Sequence, residues 1–184
     1  MVIFRLSEEF MRTTIRFATM ADAYKMTRYI KRILGETPYM ISEASEYHPS
    51  IEDEEYWLNQ TYQDGGMILL AFSGRSLIGM LSVNRHKRNR RNHVCSFGIS
   101  VSKSFQGRGL GKELMRRMIE WCRSEPGLEK ITLEVFSNNH HAIQLYEKLG
   151  FHEEGRLRNE IRYPNGQYAD MITMALFLHR GSIR

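Results

Sequence analysis

A chain of 184 residues with 42% hydrophobic and 26% charged residues has the balance of one folded domain, which excludes disordered and fibrous classes. No apolar run reaches the roughly 20 residues that a bilayer-crossing helix needs, and Glu8 and Glu9 interrupt the opening segment, so neither a membrane span nor a signal peptide is expected. The net charge is +5, and the run Arg85–Arg91 alone holds five Lys/Arg and no acid; it lacks an aromatic for base stacking and reads as a solvated loop, so no nucleic-acid partner is expected.

The first predicted element is a strand over Thr14–Thr19, with Ile15 and Phe17 on one face. Asp22 then suits the N-cap of a helix in which Tyr24, Thr27, Ile30 and Leu34 recur at helical spacing. After an irregular stretch around Pro38 and Pro49, Ser50 and Asp53 form a capping-box pattern at the start of a second helix, which Gly65-Gly66 ends. Met67–Phe72 and Leu77–Val83 are apolar strands joined by the hairpin turn Ser73-Gly74-Arg75-Ser76. A strand over Val94–Val101 follows the basic loop. Gly109–Arg123 then places Leu110, Leu114, Met118 and Cys122 on one stripe beside Met115 and Ile119, an amphipathic helix. Ile131–Phe136 is a strand and His140–Leu149 a short helix. Arg156–Arg162 and Met171–Leu178 form a last antiparallel pair around Pro164-Asn165-Gly166. The order predicts one α/β domain over residues 1–184, with 1–12 as an extension and 179–184 as a tail.

Cys95 and Cys122 are too few for a disulfide framework and read as free, buried thiols in a reducing, cytoplasmic setting. The seven histidines show no metal-ligand spacing, and adjacent His140 and His141 point in different directions on a helix. No metal is expected.

The stretch Gln106-Gly107-Arg108-Gly109-Leu110-Gly111-Lys112 carries the most chemistry. Alternating glycines between a strand and a helix let a ligand approach the main chain, and the helix start presents unpaired N–H groups suited to a pyrophosphate. A tight strand-to-helix turn would use the same glycines. A Walker A loop fails because Gln106 and Glu113 stand where Gly and Ser/Thr are needed, and the dinucleotide fingerprint fails at Lys112 and Leu114. What remains is Gln-x-x-Gly-x-Gly at Gln106, Gly109 and Gly111.

That segment resembles the acetyl-CoA pyrophosphate loop of the GNAT superfamily of N-acetyltransferases. Asn138-Asn139-His140-His141-Ala142-Ile143-Gln144-Leu145-Tyr146-Glu147-Lys148-Leu149-Gly150-Phe151 resembles the second signature of the same superfamily. The resemblance extends from Thr14 to Leu178. It implies a single mixed, mostly antiparallel sheet flanked by helices and splayed between two central parallel strands. It also implies acetyl-CoA as cosubstrate, with main-chain groups of Ile99, Ser100 and Val101 pairing with the pantetheine arm. The loop from Gly107 through Arg108, Gly109, Leu110 and Gly111 to Lys112 holds the pyrophosphate in such proteins. Asn139 corresponds to a pantetheine ligand, although an N-cap role suits it equally. Tyr146 corresponds to the acid that protonates the leaving thiolate, where core packing is the alternative, and Lys148 to a residue reaching the nucleotide phosphate.

Relatives often carry Glu two residues before Gly98. Here Ser96 stands there, and an alcohol cannot deprotonate an ammonium. Glu134, His93 or a water chain are the other options for the base. The implied acceptor pocket lies around Glu36–Met40 and Tyr163–Tyr168, and the implied acceptor is a small-molecule primary amine or a peptide N-terminus. A non-catalytic acyl-CoA-binding module is the third reading, and a homodimer is compatible with the chain.

Overall fold

The computed structural model describes residues 13–178, so the extension 1–12 and the tail 179–184 lie outside the described residues. The elements run β1 (Thr13–Phe17), α1 (Ala23–Glu36), α2 (Ile51–Gln63), β2 (Met67–Ser73), β3 (Ser76–Arg85), β4 (Val94–Val101), α3 (Leu110–Ser124), β5 (Lys130–Phe136), α4 (His140–Lys148), β6 (His152–Arg162) and β7 (Tyr168–Phe177). Seven strands form one sheet in the order β1-β2-β3-β4-β5-β7-β6. Every neighbouring pair is antiparallel except β4 with β5, which are parallel.

The α3 stripe behaves as its periodicity predicts. Leu110, Leu114, Met115, Met118, Ile119 and Cys122 are all buried, in one core with Leu69, Leu81, Cys95, Phe97 and Ile131 from the sheet. Burying a Leu or Met side chain stabilises by about 1.5–3 kcal/mol, so this helix is held by packing rather than by its own propensity. A second core on the other face joins Met26, Tyr29, Ile33 and Leu58 to Ile68, Leu70, Phe72 and Met80. The sheet is therefore covered on both sides, which suits the continuous apolar run of β2.

The capping box at the start of α2 forms as predicted: Asp53 N–H donates to Ser50 Oγ at 3.0 Å, and Ser50 N–H donates back to the Asp53 carboxylate at 2.9 Å. Asp22 occupies the N-cap position of α1 as expected, but its side chain makes no capping bond; its carboxylate accepts two Arg16 guanidinium bonds, at 2.7 Å each, and the Thr19 N–H at 2.9 Å. The expected stripe also shifts: Met26, Tyr29, Ile33 and Leu34 are buried while Tyr24 is exposed. Tyr29 packs in the core on that face, and its hydroxyl lies 3.2 Å from Ser100 Oγ on β4. β6 also starts earlier than predicted, at His152. Its irregular middle is anchored by Asn159, in the left-handed region at φ 53°, whose N–H donates to Asp170 at 2.9 Å.

The feature that positions the site is where β4 and β5 stop pairing. Their parallel register covers only Val94–Ser96 against Lys130–Thr132. Beyond it each strand stays bonded on its other edge, β4 to β3 as far as Val101 and β5 to β7 as far as Phe136. The two central strands thus part in the middle of an otherwise continuous sheet.

Candidate active site

Thr132 stands at the point of parting and donates from Oγ1 to the Cys95 carbonyl at 3.1 Å. The Cys95 carbonyl therefore faces β5, and alternation along an extended strand turns the main-chain groups of Phe97, Ile99 and Val101 the same way. Ser102 N–H donates to Ile78 on the β3 side at 2.9 Å, so the even-numbered positions, Ser100 included, direct their main-chain groups to β3. Ile99 and Val101 offer backbone to the gap; Ser100 reaches the site with its side chain.

At the end of β4 the chain turns through Gly107 and Gly109, whose φ values are 71° and 85°. Both lie in the left-handed region that side chains with a Cβ enter at a cost. Gly109 is the N-cap of α3, and the first bonded amide there is Glu113 N–H to the Gly109 carbonyl at 3.0 Å. The amides of Leu110, Gly111 and Lys112 precede it and have no intrahelical acceptor, so the cradle suits an anion. Leu110 contributes only main chain, because its side chain is buried in the α3 core. The Arg108 guanidinium lies over the Phe105 ring, 5.3 Å from its centroid. Gln106 ties the loop to the strand by donating from Nε2 to the Val101 carbonyl at 2.9 Å.

α4 brings two further residues to the gap. Asn139 caps it, its Oδ1 accepting the Ala142 N–H at 3.3 Å, which leaves the amide nitrogen as a donor. Tyr146 is buried between Phe97 and Phe151, with ring centroids 5.9 and 6.0 Å away. Burial alone pushes its hydroxyl up to about 12, so the proton stays on at neutral pH.

Two cavities meet here. One, of about 590 Å³, is lined by Ile99, Val101, Gln106, Gly107, Gly109, Gly111 and Lys112, together with His141 and Lys148 of α4. The other, of about 620 Å³, runs under α2 and is lined by Glu54, Trp57, Met80, Phe97, Glu134 and Phe136 among others. Ile99, Ser100, Asn139 and Tyr146 line both, as do Tyr39 and Met40.

The model described as the acetyltransferase (GNAT) family matches residues 36–151, which span both glycine loop and α4. The chain belongs to the GNAT acetyltransferase family. An L-amino acid N-acetyltransferase of Escherichia coli (strain K12) is 36% identical over 129 residues, covering 70% of this chain and 77% of that protein. The crystal structure of a GNAT-family acetyltransferase from Streptococcus pneumoniae aligns with a TM-score of 0.86 at 27% identity, over 90% of this chain and 99% of that one. The structure of yncA from Salmonella typhimurium, solved with its cofactor acetyl-CoA, shares the fold with a TM-score of 0.81 at 22% identity, covering 93% of this chain and 96% of that one.

Of the two segments expected around an acceptor pocket, Tyr39 and Met40 line both cavities, Glu36, Thr37 and Pro38 line only the one beside the glycine loop, and no residue of Tyr163–Tyr168 lines either. The Tyr163 hydroxyl is occupied by Asn138, at 3.1 Å from Nδ2 and 3.2 Å from Oδ1, and its ring packs edge-on to Phe136. His93 lies at the closed end of the parallel pair, where its carbonyl accepts the Glu129 and Lys130 amides. Neither His93 nor Ser96 lines either of these two cavities; Glu134 lines the one under α2. Sequence reasoning missed Glu54 and Tyr47. Glu54 shares the buried face of α2 with Leu58 and Thr61, at i+4 and i+7, and an acid on a buried stripe was the available signal.

Proposed function

We propose that this GNAT enzyme transfers the acetyl group of acetyl-CoA directly to the primary amine of a small molecule. The observation that carries the reading is the junction of the two cavities at Ile99 and Tyr146. Acetyl-CoA supplies an activated thioester on a long arm that ends in a pyrophosphate. The amides of Gly107–Lys112 bind that anion, with Lys112 and Lys148 adding charge along the same cavity. The main-chain groups of Ile99 and Val101 on the parted edge of β4 orient the arm as a neighbouring strand would, and Asn139 adds its amide donor. The Ile99 N–H polarises the acyl carbonyl from within the gap.

Tyr146 delivers its proton to the departing sulfur. A hydroxyl held neutral by burial, at the meeting point of donor and acceptor spaces, suits that task. Of the groups weighed for receiving the amine's proton, Glu134 lines the acceptor cavity and Ser96 and His93 do not. Cys95 and Cys122 are fully buried in the α3 core, and neither lines either of the two cavities, which supports direct transfer over a cysteine-bound intermediate.

The test is thiol release from acetyl-CoA across polyamines, amino acids, aminoglycosides and peptides, beside calorimetry with coenzyme A. Binding of coenzyme A and turnover with one class of small amine are expected. Turnover with peptides alone would replace the acceptor by a protein N-terminus. Binding without any turnover would leave an acyl-CoA-binding module.

A further inference from the structure

The two cavities carry opposite charge. The cofactor side is lined by Lys103, Lys112 and Lys148, with Glu36 the one acid there among the described residues. The acceptor side is lined by Asp53, Glu54 and Glu134 and, among the described residues, by no Lys, Arg or His. Its remaining walls are largely apolar, including Ile30, Trp57, Met80 and Phe136.

Among these acids Glu54 is the one with an unmet hydrogen bond. The residue is 4% exposed, and its Oε2 accepts the Tyr47 hydroxyl at 2.9 Å. Its other oxygen, Oε1, is buried with no hydrogen-bond partner among the described residues. Burial pushes the Glu54 carboxyl pKa up, because the ionised form loses solvation there. An N–H⁺ donor arriving from a ligand removes that penalty. A ligand carboxylate does the reverse: it enters a space with three acids and no cation to receive it.

We propose that the acceptor is a small cationic amine whose skeleton carries no carboxylate, and that Oε1 of Glu54 receives one of its N–H groups. The inference rests on the acetyltransferase reading and narrows its substrate class. Alkyl diamines and arylalkylamines fit: their carbon chains lie on the apolar walls, where the rings of Trp57 and Phe136 also favour a cation. Free amino acids do not.

The experiment uses pairs that differ only by the carboxyl group, with the full chain and acetyl-CoA: lysine against 1,5-diaminopentane, and phenylalanine against 2-phenylethylamine. The decarboxylated partner is expected to show kcat/KM higher by about ten-fold or more in each pair. Glu54→Gln is expected to raise KM for 1,5-diaminopentane about ten-fold, with kcat changed less than about three-fold and coenzyme A affinity unchanged by calorimetry. Tyr47→Phe retains Oε1 and should move KM less than Glu54→Gln does. Direct titration of 1,5-diaminopentane into the coenzyme A-loaded protein reads the same site without turnover, and wild type alone suffices if Glu54→Gln fails to fold. Amino acids equal to or better than their amines, a tripeptide preferred to every free amine, or an unmoved KM in Glu54→Gln each overturn the proposal while the acetyltransferase reading stands. Failure of coenzyme A to bind overturns that reading first.

Discussion

Gln106 Nε2 sits 2.9 Å from the carbonyl oxygen of Val101, so the residue that opens the glycine loop is clamped to the last residue of β4. The loop's place relative to the parted strand edge depends on an exposed side chain. Gln106→Ala should therefore cost little stability, about 1 kcal/mol or less, and weaken coenzyme A binding by about ten-fold. Gln106→Glu cannot donate and adds a negative charge near the pyrophosphate, so it should bind more weakly than Gln106→Ala. Calorimetry on the three proteins gives the order; equal affinities would remove the clamp from the account.

Tyr146→Phe deletes the proton donor and keeps the ring that packs on Phe97 and Phe151. Turnover should fall by roughly 10² to 10⁴, the range of a lost acid, with coenzyme A affinity within about two-fold of wild type. Because burial raises the hydroxyl to about 12, the wild-type rate should show no loss from this group as pH rises from 7 to about 10. A kcat for the Phe variant equal to wild type assigns the proton to another donor.

A Cβ added at Gly109 meets nothing within 4 Å, yet φ there is +85°. The demand at this position is conformational, not steric within the chain. Gly109→Ala should cost about 1–3 kcal/mol in urea unfolding, and Gly109→Asn less, because Asn enters the left-handed region more readily. Coenzyme A affinity should follow the same order, Gly, Asn, Ala, with Val below all three. Loss of affinity in Gly109→Asn as complete as in Gly109→Val would point to contact with the ligand instead of backbone conformation.

Hydrogen bonds from Arg16, chiefly, and from Thr19 hold the Asp22 carboxyl down at about 2, against 3.8 for the free side chain. A carboxyl depressed in the folded state stabilises fully above the unfolded value and loses that contribution as pH falls toward the folded one. Stability should drop by about 1–2 kcal/mol between pH 5 and pH 2 from this group, discounted because Arg16 is 41% exposed. Asp22→Asn should be less stable at pH 7 and flatter across that window. Parallel unfolding curves for the two proteins down to pH 2 would rule the pair out as an acid-sensitive contact.

Local signals settled much of this protein before any tertiary contact was considered. The β4 bounds, the Ser50–Asp53 capping box, the α3 stripe, the glycine loop and Tyr146 on α4 depend on residues within a turn or a strand of one another, and sequence periodicity reports those directly. Tertiary structure decided the rest. Which side of α1 faces inward showed only in its packing, where Met26, Tyr29 and Ile33 meet Ile68, Leu70 and Met80 of the sheet and Tyr29 meets Ser100, 71 residues away in the chain. Cys95 and Cys122 read as unrelated buried thiols, yet β4 and α3 bring their sulfurs within 3.8 Å. The parting of β4 from β5 leaves each strand bonded on its outer edge, so it shows only in the pairing of the whole sheet. The cavity under α2 likewise took two of its three acids, Asp53 and Glu54, from α2 and the third, Glu134, from β5, because a helix folded over a sheet face brings side chains distant in sequence to one space.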